Sequence, residues 1–400
     1  TLSSSSAASD VYKRQQFNIS KQFFKTNKTK DLKFRKHQLK ALSKSIKNHE
    51  QALLEALNKD LGKSKVEAYA TEIGILLKSI KLARKELKNW AKTKQVETPL
   101  YLFPTKSYIK NEPYGTVLII GPFNYPVQLV FEPLIGAIAA GNTAIVKPSE
   151  LTPNVAEVIQ DIIQETFEEN YISVVKGGIE ETQKLIHLPF DYMFFTGSEK
   201  VGQIIYESAA KNLVPVTLEL GGKSPVIIDQ TANLKVASER ISFGKFTNAG
   251  QTCVAPDYIL IDRKVKNDFI NALKQTITEF YGENIKESPD FGRIVNQKHF
   301  NRLNELLETH ESKTIFGGKS FEEDLYIEPT LIDNVNLQDK VMQEEIFGPI
   351  LPIITYDDFD EAIQIIQSKS KPLSLYLFSE DENSTHRVLE ELSFGSGAIN

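Results

Sequence analysis

The chain has 400 residues, of which 41% are hydrophobic and 25% are charged, and its formal net charge is −5. These proportions are those of an ordinary soluble globular protein, and the length predicts two domains because single hydrophobic cores rarely grow so large. The mild acidity, from 47 basic against 52 acidic residues, excludes a general electrostatic attraction to nucleic acid or to anionic lipid.

The first element in chain order is a serine-rich tract, TLSSSSAASDVYKRQ, which has neither helical nor strand periodicity. We interpret residues 1–15 as a non-native tail and leave them out of the predicted fold. No apolar segment near the N-terminus resembles a secretory signal, and no apolar run approaches the ~20 residues that span a bilayer. The sequence therefore predicts a cytoplasmic protein.

A helical region is predicted from Phe17 to about Lys94, because apolar residues such as Ile73, Leu76 and Ile80 recur at helical spacing. The lysine-rich faces are interleaved with acidic residues and indicate solvated helix surfaces. The extended piece YLFPTKSYIKNEP follows. Its alternation of apolar and polar residues, together with its prolines, predicts an edge strand or an arm over residues 99–113.

Short β-branched runs separated by helical stretches come next, which is the pattern of a parallel sheet covered on both faces. The runs are TVLII (116–120), TAIVK (143–147), ISVVK (172–176), DYMFF (191–195) and VTLEL (216–220). They predict an α/β, doubly wound parallel-sheet domain of the dinucleotide-binding type, made of residues 16–98 and 114–220. The alternation resumes with PVIID, YILID and LSLYLF, so a second α/β domain is predicted over 221–400.

Polar residues follow several of these strands, where ligands bind in doubly wound sheets. In FTGSEKVG, Gly197 follows a strand, Ser198 stands at the start of a helix, and Val201 belongs to the apolar face predicted for it. Free N–H groups at such a helix start can hold a phosphate, although a simple capped helix explains the same residues. No GxGxxG fingerprint is present.

The segment IVKPSE places Lys147 and Glu150 at another strand end. The lysine can donate to a ribose hydroxyl or a phosphate, and the carboxylate can accept from ribose hydroxyls. A carboxylate in that role favours NAD over NADP because it repels a 2′-phosphate. The alternative is a surface lysine–glutamate pair at a turn.

Glu219 ends the apolar strand VTLEL and is followed by two glycines. If its carboxylate is buried, its pKa rises and it suits general-base chemistry near neutral pH. The alternative is a strand-end glutamate whose side chain reaches water. Both interpretations stay open from the sequence.

Cys253, in FTNAGQTCVAPDY, is the only cysteine of the chain, which excludes an internal disulfide, CxxC redox chemistry and a cysteine-based zinc site. A lone cysteine is by default a small buried hydrophobic residue. Here, however, glycine and small neighbours allow a substrate to approach, and the peptide N–H beside the thiol can hold an oxyanion. The histidines are scattered and form no metal-ligand pattern, so no metal is predicted.

Six motifs stand in the order found in the NAD(P)-dependent aldehyde dehydrogenase superfamily, and the chain resembles that superfamily from about residue 20 onward. They are GPFNYP, GNTAIVKPSE, FTGSEKVG, LELGGKSP, FTNAGQTCVAPDY and EEIFGPILP. The APDY after the cysteine resembles the class 3 branch, which includes fatty and aromatic aldehyde dehydrogenases. The resemblance implies that the protein oxidises an aldehyde to a carboxylic acid, with NAD as the expected cofactor and NADP as the alternative.

The resemblance also implies roles for single residues. Cys253 is the expected nucleophile, which forms a thiohemiacetal and then a thioester, and Asn124 in GPFNYP is the expected oxyanion donor. Glu219 is the expected base that activates water. For the cofactor, the matching residues are Lys147, Glu150, Gly197, Ser198, Val201, Glu345 and Phe347.

The family pattern continues beyond Asn400 with a loop at the aldehyde channel and a strand that joins a partner subunit. We therefore expect the chain to be truncated, the full-length protein to form a homodimer through the arm at 99–113, and any membrane contact to reside in a missing tail. Two alternatives remain. One is an enzyme that acylates coenzyme A or runs reductively, against which Glu219 argues, and the other is a non-catalytic binding relative.

Overall fold

The computed structural model describes the backbone from Leu2 to Asn400 and the side chains from Lys13 onward. The chain divides into two units: the first runs to Asp60 and resumes over Ala68–Glu219, and the second comprises Leu61–Glu67 and Leu220–Asn400. Residues 61–67, which the sequence pattern groups with the first domain, belong to the second unit.

The N-terminal region is helical, as its apolar periodicity predicts. Its helices are α1 (Leu2–Lys25), α2 (Leu32–Asn48), α3 (Glu50–Leu61), α4 (Lys65–Ala68) and α5 (Gly74–Trp90), with a π-helical turn at Tyr69–Ile73. The expectation of an irregular segment at 1–15 is wrong for residues 2–15, because α1 begins at Leu2 and continues without a break into the amphipathic stretch after Phe17. Whether that segment is native stays a prediction.

The predicted arm is one strand of a small antiparallel hairpin. Strand β1 (Lys94–Val96) pairs with β2 (Ser107–Ile109), so that Lys94 lies opposite Ile109. The connection between them exposes three large apolar side chains, Leu100 (87%), Tyr101 (83%) and Phe103 (80%). This hairpin therefore presents apolar surface that the chain itself does not cover.

The sheet of the first unit confirms the predicted doubly wound architecture. Its elements are β3 (Thr116–Ile120), α6 (Gln128–Ala140), β4 (Thr143–Lys147), α7 (Pro153–Thr166), β5 (Ile172–Val174), α8 (Ile179–Ile186), β6 (Tyr192–Thr196), α9 (Glu199–Ala210) and β7 (Val216–Glu219). The strands are parallel in the order β5-β4-β3-β6-β7, the order of dinucleotide-binding folds. Every residue of β3 and β4 is buried, as unbroken β-branched runs predict.

The second unit is also α/β. Its elements are β8 (Pro225–Ile228), α10 (Leu234–Phe246), β9 (Tyr258–Asp262), α11 (Lys266–Tyr281), α12 (Gln297–Thr309), β10 (Thr314–Phe316), β11 (Ser320–Phe321), β12 (Tyr326–Ile327), β13 (Thr330–Ile332), β14 (Ile350–Tyr356), α13 (Phe359–Gln367), β15 (Ser374–Phe378), α14 (Glu382–Glu391) and β16 (Ser396–Ile399). The main sheet has the order β10-β13-β14-β9-β8-β15-β16, in which only the β10–β13 pair is antiparallel.

Candidate active site

Lys147 and Glu150 lie at the carboxyl end of β4, as predicted. The Lys147 ammonium is buried and donates hydrogen bonds to the Glu150 carboxylate (3.0 Å) and to the carbonyl oxygen of Pro148 (2.9 Å). Glu150 is exposed, so the pair joins a buried cation to a carboxylate in solvent. The alternative of an ordinary surface pair is wrong for the lysine.

The segment after β6 forms the predicted helix start. Ser198 is the N-cap residue of α9, and its side chain makes no capping hydrogen bond. The first N–H groups of α9 therefore receive no side-chain cap from Ser198, and free N–H groups at a helix start can hold an anion. The predicted apolar face was wrong in part: Val201 is 39% exposed, whereas Gly202, Ile205 and Ala209 form the buried face of α9.

Asn124 lies in the loop between β3 and α6, and it is only 3% exposed. The loop is held by Glu72, a fully buried carboxylate in the π-helical turn. One oxygen of Glu72 accepts hydrogen bonds from the backbone N–H groups of Val127 (2.8 Å) and Gln128 (3.2 Å). A negative charge at the start of a helix is stabilised by the helix dipole, so Glu72 fixes the entry to α6 and with it the loop that carries Asn124.

Glu219 is the last residue of β7, directly opposite Thr196, and its backbone carbonyl accepts from the N–H of Gly197 (3.0 Å). Its side chain is exposed. The interpretation of a buried carboxylate is therefore wrong, because β7 is the edge strand and its end reaches solvent. Within the first unit, the strand register brings Lys147, Gly197 and Glu219 to the same end of the sheet, at the carboxyl ends of β4, β6 and β7.

The turn before Cys253 has an unusual backbone. Asn248 (φ 55°), Ala249 (φ 51°) and Gly250 (φ 75°) are consecutive left-handed residues, a conformation that non-glycine residues adopt only when their surroundings impose it. A β-carbon on Gly250 would lie 2.3 Å from the carbonyl oxygen of Gly348, so this position requires glycine.

Gln251 anchors the other end of this turn. Its side-chain amide donates to the carbonyls of Asn248 (3.0 Å) and Arg293 (2.9 Å), and its side-chain oxygen accepts from the N–H of Val295 (3.0 Å). A buried side chain that bonds three backbone groups fixes a loop firmly. The left-handed turn and Gln251 together set the position of the thiol.

Cys253 is partly exposed in this loop, between α10 and β9. The default interpretation of a cysteine buried in hydrocarbon is therefore wrong. The phenol of Tyr376, on β15, donates a hydrogen bond to the carbonyl oxygen of the next residue, Val254. The thiol is thus accessible while the backbone on both sides of it is held.

Glu345 and Phe347 stand in the segment that leads into β14. Burial, helped by the charge of Asp257, raises the pKa of the half-buried Glu345 carboxyl to about 7. The carboxylate accepts a hydrogen bond from the N–H of Gly222 and lies directly over Gly221, where a β-carbon would come within 2.4 Å of it. Phe347 has a left-handed backbone (φ 49°), so this segment too is held in a strained conformation.

The predicted residues thus fall into two groups, each brought together by its own sheet. Asn124, Lys147, Gly197, Ser198 and Glu219 lie in loops or at strand ends of the first unit, and Cys253, Glu345 and Phe347 lie in loops of the second. Sequence reasoning missed the residues that hold these loops, namely Glu72, Gln251, Asp257 and Tyr376. Gln251 and Asp257 stand inside a quoted motif, but nothing in the sequence shows which backbone groups they bond.

The aldehyde dehydrogenase family model matches residues 3–400. The chain belongs to the aldehyde dehydrogenase family. It is 72% identical over 386 residues to the 4,4'-diaponeurosporen-aldehyde dehydrogenase of Staphylococcus aureus (strain NCTC 8325 / PS 47), with 96% of this chain and 84% of that protein covered. It is 45% identical to aldehyde dehydrogenase family 3 member A2 of Mus musculus, with 94% of this chain and 77% of that protein covered.

Among solved structures, the substrate-bound state of Staphylococcus aureus AldH is similar to this aldehyde dehydrogenase with a TM-score of 0.95 and 71% identity, covering 97% of this chain and 84% of that one. The predicted superfamily, its class 3 branch and the fold are confirmed. The protein is an NAD(P)-dependent oxidoreductase that oxidises aldehydes to carboxylic acids. In the part of the chain that the structure describes, no helix has the length and apolarity to cross a membrane.

Proposed function

We propose that this aldehyde dehydrogenase works through a covalent thioester on Cys253. The observation that carries the proposal is the accessible thiol, the only one in the chain, in a loop fixed by a left-handed turn and by Gln251. A thiol held in this way can approach a carbonyl carbon with little loss of conformational entropy. A structural cysteine would need neither the access nor the strain.

The chemistry assigns one task to each group. The Cys253 thiolate adds to the aldehyde carbon, and the carbonyl oxygen becomes an alkoxide. The side-chain amide of Asn124 and the backbone N–H of Cys253 donate hydrogen bonds to that oxygen, a contribution of about 3 kcal/mol for one such donor. When the alkoxide collapses, the carbon–hydrogen electron pair leaves as hydride and the thioester remains on Cys253. A nicotinamide cofactor, when bound, would supply the hydride acceptor.

The charged and polar groups present fit a dinucleotide. We assign Lys147 and Glu150 to an adenosine ribose, the start of α9 at Ser198 to a phosphate, and Glu345 to the hydroxyls of the nicotinamide ribose. Gly197, Val201 and Phe347 are assigned to the same cofactor through their match to the family motifs. We infer that NAD is preferred, and that NADP is accepted because Lys147 partly neutralises the Glu150 carboxylate.

Glu219 completes the cycle by activating the water that hydrolyses the thioester. The assignment comes from the match of Glu219 to the family motif LELGGKSP, and its exposed side chain at the end of β7 gives the carboxylate access to water. Transfer of the acyl group to coenzyme A would require no base of this kind. We therefore infer that the free acid is the product and that no thiol cosubstrate is needed.

A panel of aldehydes tests the proposed function. The panel contains 4,4'-diaponeurosporen-aldehyde, a long-chain alkanal, benzaldehyde and acetaldehyde, each with NAD and with NADP. We expect one free acid per reduced cofactor without added coenzyme A, and higher kcat/KM for the first three substrates than for acetaldehyde. Dependence of product formation on coenzyme A would contradict the hydrolytic assignment.

The homodimer remains part of the proposal. The apolar side chains exposed on the hairpin, Leu100, Tyr101 and Phe103, support a second copy of the chain as the partner. Replacing all three by serine is expected to shift a dimer to monomer in analytical ultracentrifugation. A cytoplasmic location stays a prediction from the sequence, which shows no segment like a secretory signal and no apolar run long enough to span a bilayer.

A further inference from the structure

Asp257 is a buried carboxylate in the loop that carries the nucleophile. It lies between Cys253 and the first residue of β9 and is 3% exposed. One of its oxygens accepts a hydrogen bond from the backbone N–H of Ile346 (2.9 Å). Asp257 therefore links the loop of the thiol to the segment that contains Glu345 and Phe347.

The second oxygen of Asp257 is paired with the ammonium of Lys223, which is itself largely buried. Lys223 also donates hydrogen bonds to the carbonyl oxygens of Val341 (3.0 Å) and Glu344 (2.9 Å). The ammonium thus donates to one carboxylate and to two backbone carbonyls, of Val341 and Glu344, in the stretch that leads to Glu345. The Asp257–Lys223 ion pair therefore also holds backbone groups in place through hydrogen bonds.

Arg302, on α12, holds the same segment from the other side. Its guanidinium donates to the carbonyl oxygen of Ile346 (2.5 Å), so both backbone groups of Ile346 are bonded to charged side chains. Charge-assisted hydrogen bonds are about twice as strong as neutral ones. The residue between Glu345 and Phe347 is therefore fixed in place, which also maintains the left-handed backbone of Phe347.

The simpler explanation is a buried ion pair that contributes only to folding. Two observations favour a role in the site. The hydrogen bonds of Asp257 and Lys223 converge on the stretch from Val341 to Ile346, and Gly250, in the thiol loop, lies against the backbone of Gly348 in the adjoining turn. Any shift of Asp257 would displace both segments together.

We propose that Asp257 is a positioning residue, which, with Lys223, holds the Glu345–Phe347 segment at a fixed distance from the Cys253 loop. The inference rests on the proposed function, since Glu345 and Phe347 are assigned to the cofactor there. Asp257 touches neither cofactor nor aldehyde in this account, and it acts through the backbone of Ile346.

The test replaces Asp257 by Asn and measures NADH binding by fluorescence, together with KM for NAD and kcat. The control is D262N, because Asp262 is a buried aspartate at the opposite end of the same strand and bonds only its own turn at Lys264. We expect D257N to raise the Kd of NADH about tenfold or more, whereas D262N leaves it unchanged. In the Glu345→Gln background, D257N is expected to add little, because both changes act on one segment.

Unchanged NADH affinity in a folded D257N protein would overturn the inference, as would full additivity with Glu345→Gln. If D257N does not fold, Lys223→Gln removes the same ion pair through its other partner, and the Kd of NADH is measured for that variant instead. NADH binding needs no turnover. A wild-type chain that binds NADH but oxidises no aldehyde would therefore refute the proposed function while still allowing this inference to be tested.

Discussion

The two units present their candidate residues at opposite ends of their strands. In the first unit, Lys147, Gly197 and Glu219 lie at the carboxyl ends of β4, β6 and β7. In the second unit, Cys253 and Glu345 precede β9 and β14, and so lie toward the amino ends of parallel strands. Only the first arrangement follows the general rule for ligand sites in open α/β sheets.

The difference shows how each loop is stabilised. At the carboxyl end of a strand, the following helix offers free N–H groups, and α9 at Ser198 is an example. The loops before β9 and β14 are held instead by side chains that bond backbone, including Gln251 and Asp257, and by left-handed turns. The second unit therefore depends mainly on buried polar groups, whereas the first combines the regular start of α9 with one such group, Glu72, at the Asn124 loop.

The largest expected effect comes from the thiol. Cys253→Ala should lower NAD(P)H formation by about 10⁴-fold or more with every aldehyde, because no covalent intermediate can form. NADH binding, measured by fluorescence, should be retained. Measurable turnover in the variant would show that the reaction does not need the loop of the second unit.

The first unit contains the proposed oxyanion donor, Asn124, and its loss should be the next largest effect. Asn124→Ala should slow the first hydride transfer about 10²- to 10³-fold in a stopped-flow assay. Glu72→Gln should slow it about tenfold, because the charge that fixes the start of α6 is lost. Since Glu72 acts through Asn124, its substitution should have no further effect in the Asn124→Ala background, and independent effects would refute that link.

A glycine-to-alanine substitution should change the free energy of unfolding differently in the strained turn of the second unit and in a helix of the first. Gly250→Ala should destabilise the protein by about 2–4 kcal/mol, because it combines a left-handed backbone with a clash against Gly348. Gly136→Ala, in α6 with no atom within 4 Å of the new β-carbon, should be neutral or stabilising by up to about 1 kcal/mol. Thermal unfolding measures the stability of both variants. Equal changes in stability would contradict the difference between the turn and the helix.

The smallest effect concerns pH. Burial and Asp257 raise the pKa of Glu345 to about 7, while Lys223 and Lys245 oppose the shift, so the carboxyl becomes protonated as the pH falls below 7. The Kd of NADH should rise several-fold between pH 8 and pH 6, and Glu345→Gln should abolish that dependence. Because the folded pKa is raised, the contribution of Glu345 to stability is present at low pH and is lost as the pH rises through about 7. A pH-independent Kd in the wild type would contradict the assigned contact.

The sequence predicts the parallel sheet of the first unit well, because its fully buried strands, TVLII and TAIVK, consist mainly of β-branched and other aliphatic residues. It predicts the chemical groups only through motifs, since Cys253 and Glu345 have no periodicity that distinguishes them. It fails where burial depends on position in the sheet, as for Glu219 on an edge strand and for Val201 on the outer face of α9. Glu72 stands 52 residues before Asn124 in the sequence, so no local sequence pattern reveals that it holds the Asn124 loop.

The most direct test of the thioester account uses Glu219→Gln mixed with aldehyde and NAD, followed by peptide mass spectrometry. The account predicts a burst of one NADH per active chain, slow turnover afterwards, and the acyl group attached to the Cys253 peptide. A burst without that adduct, or an adduct on another residue, would contradict it.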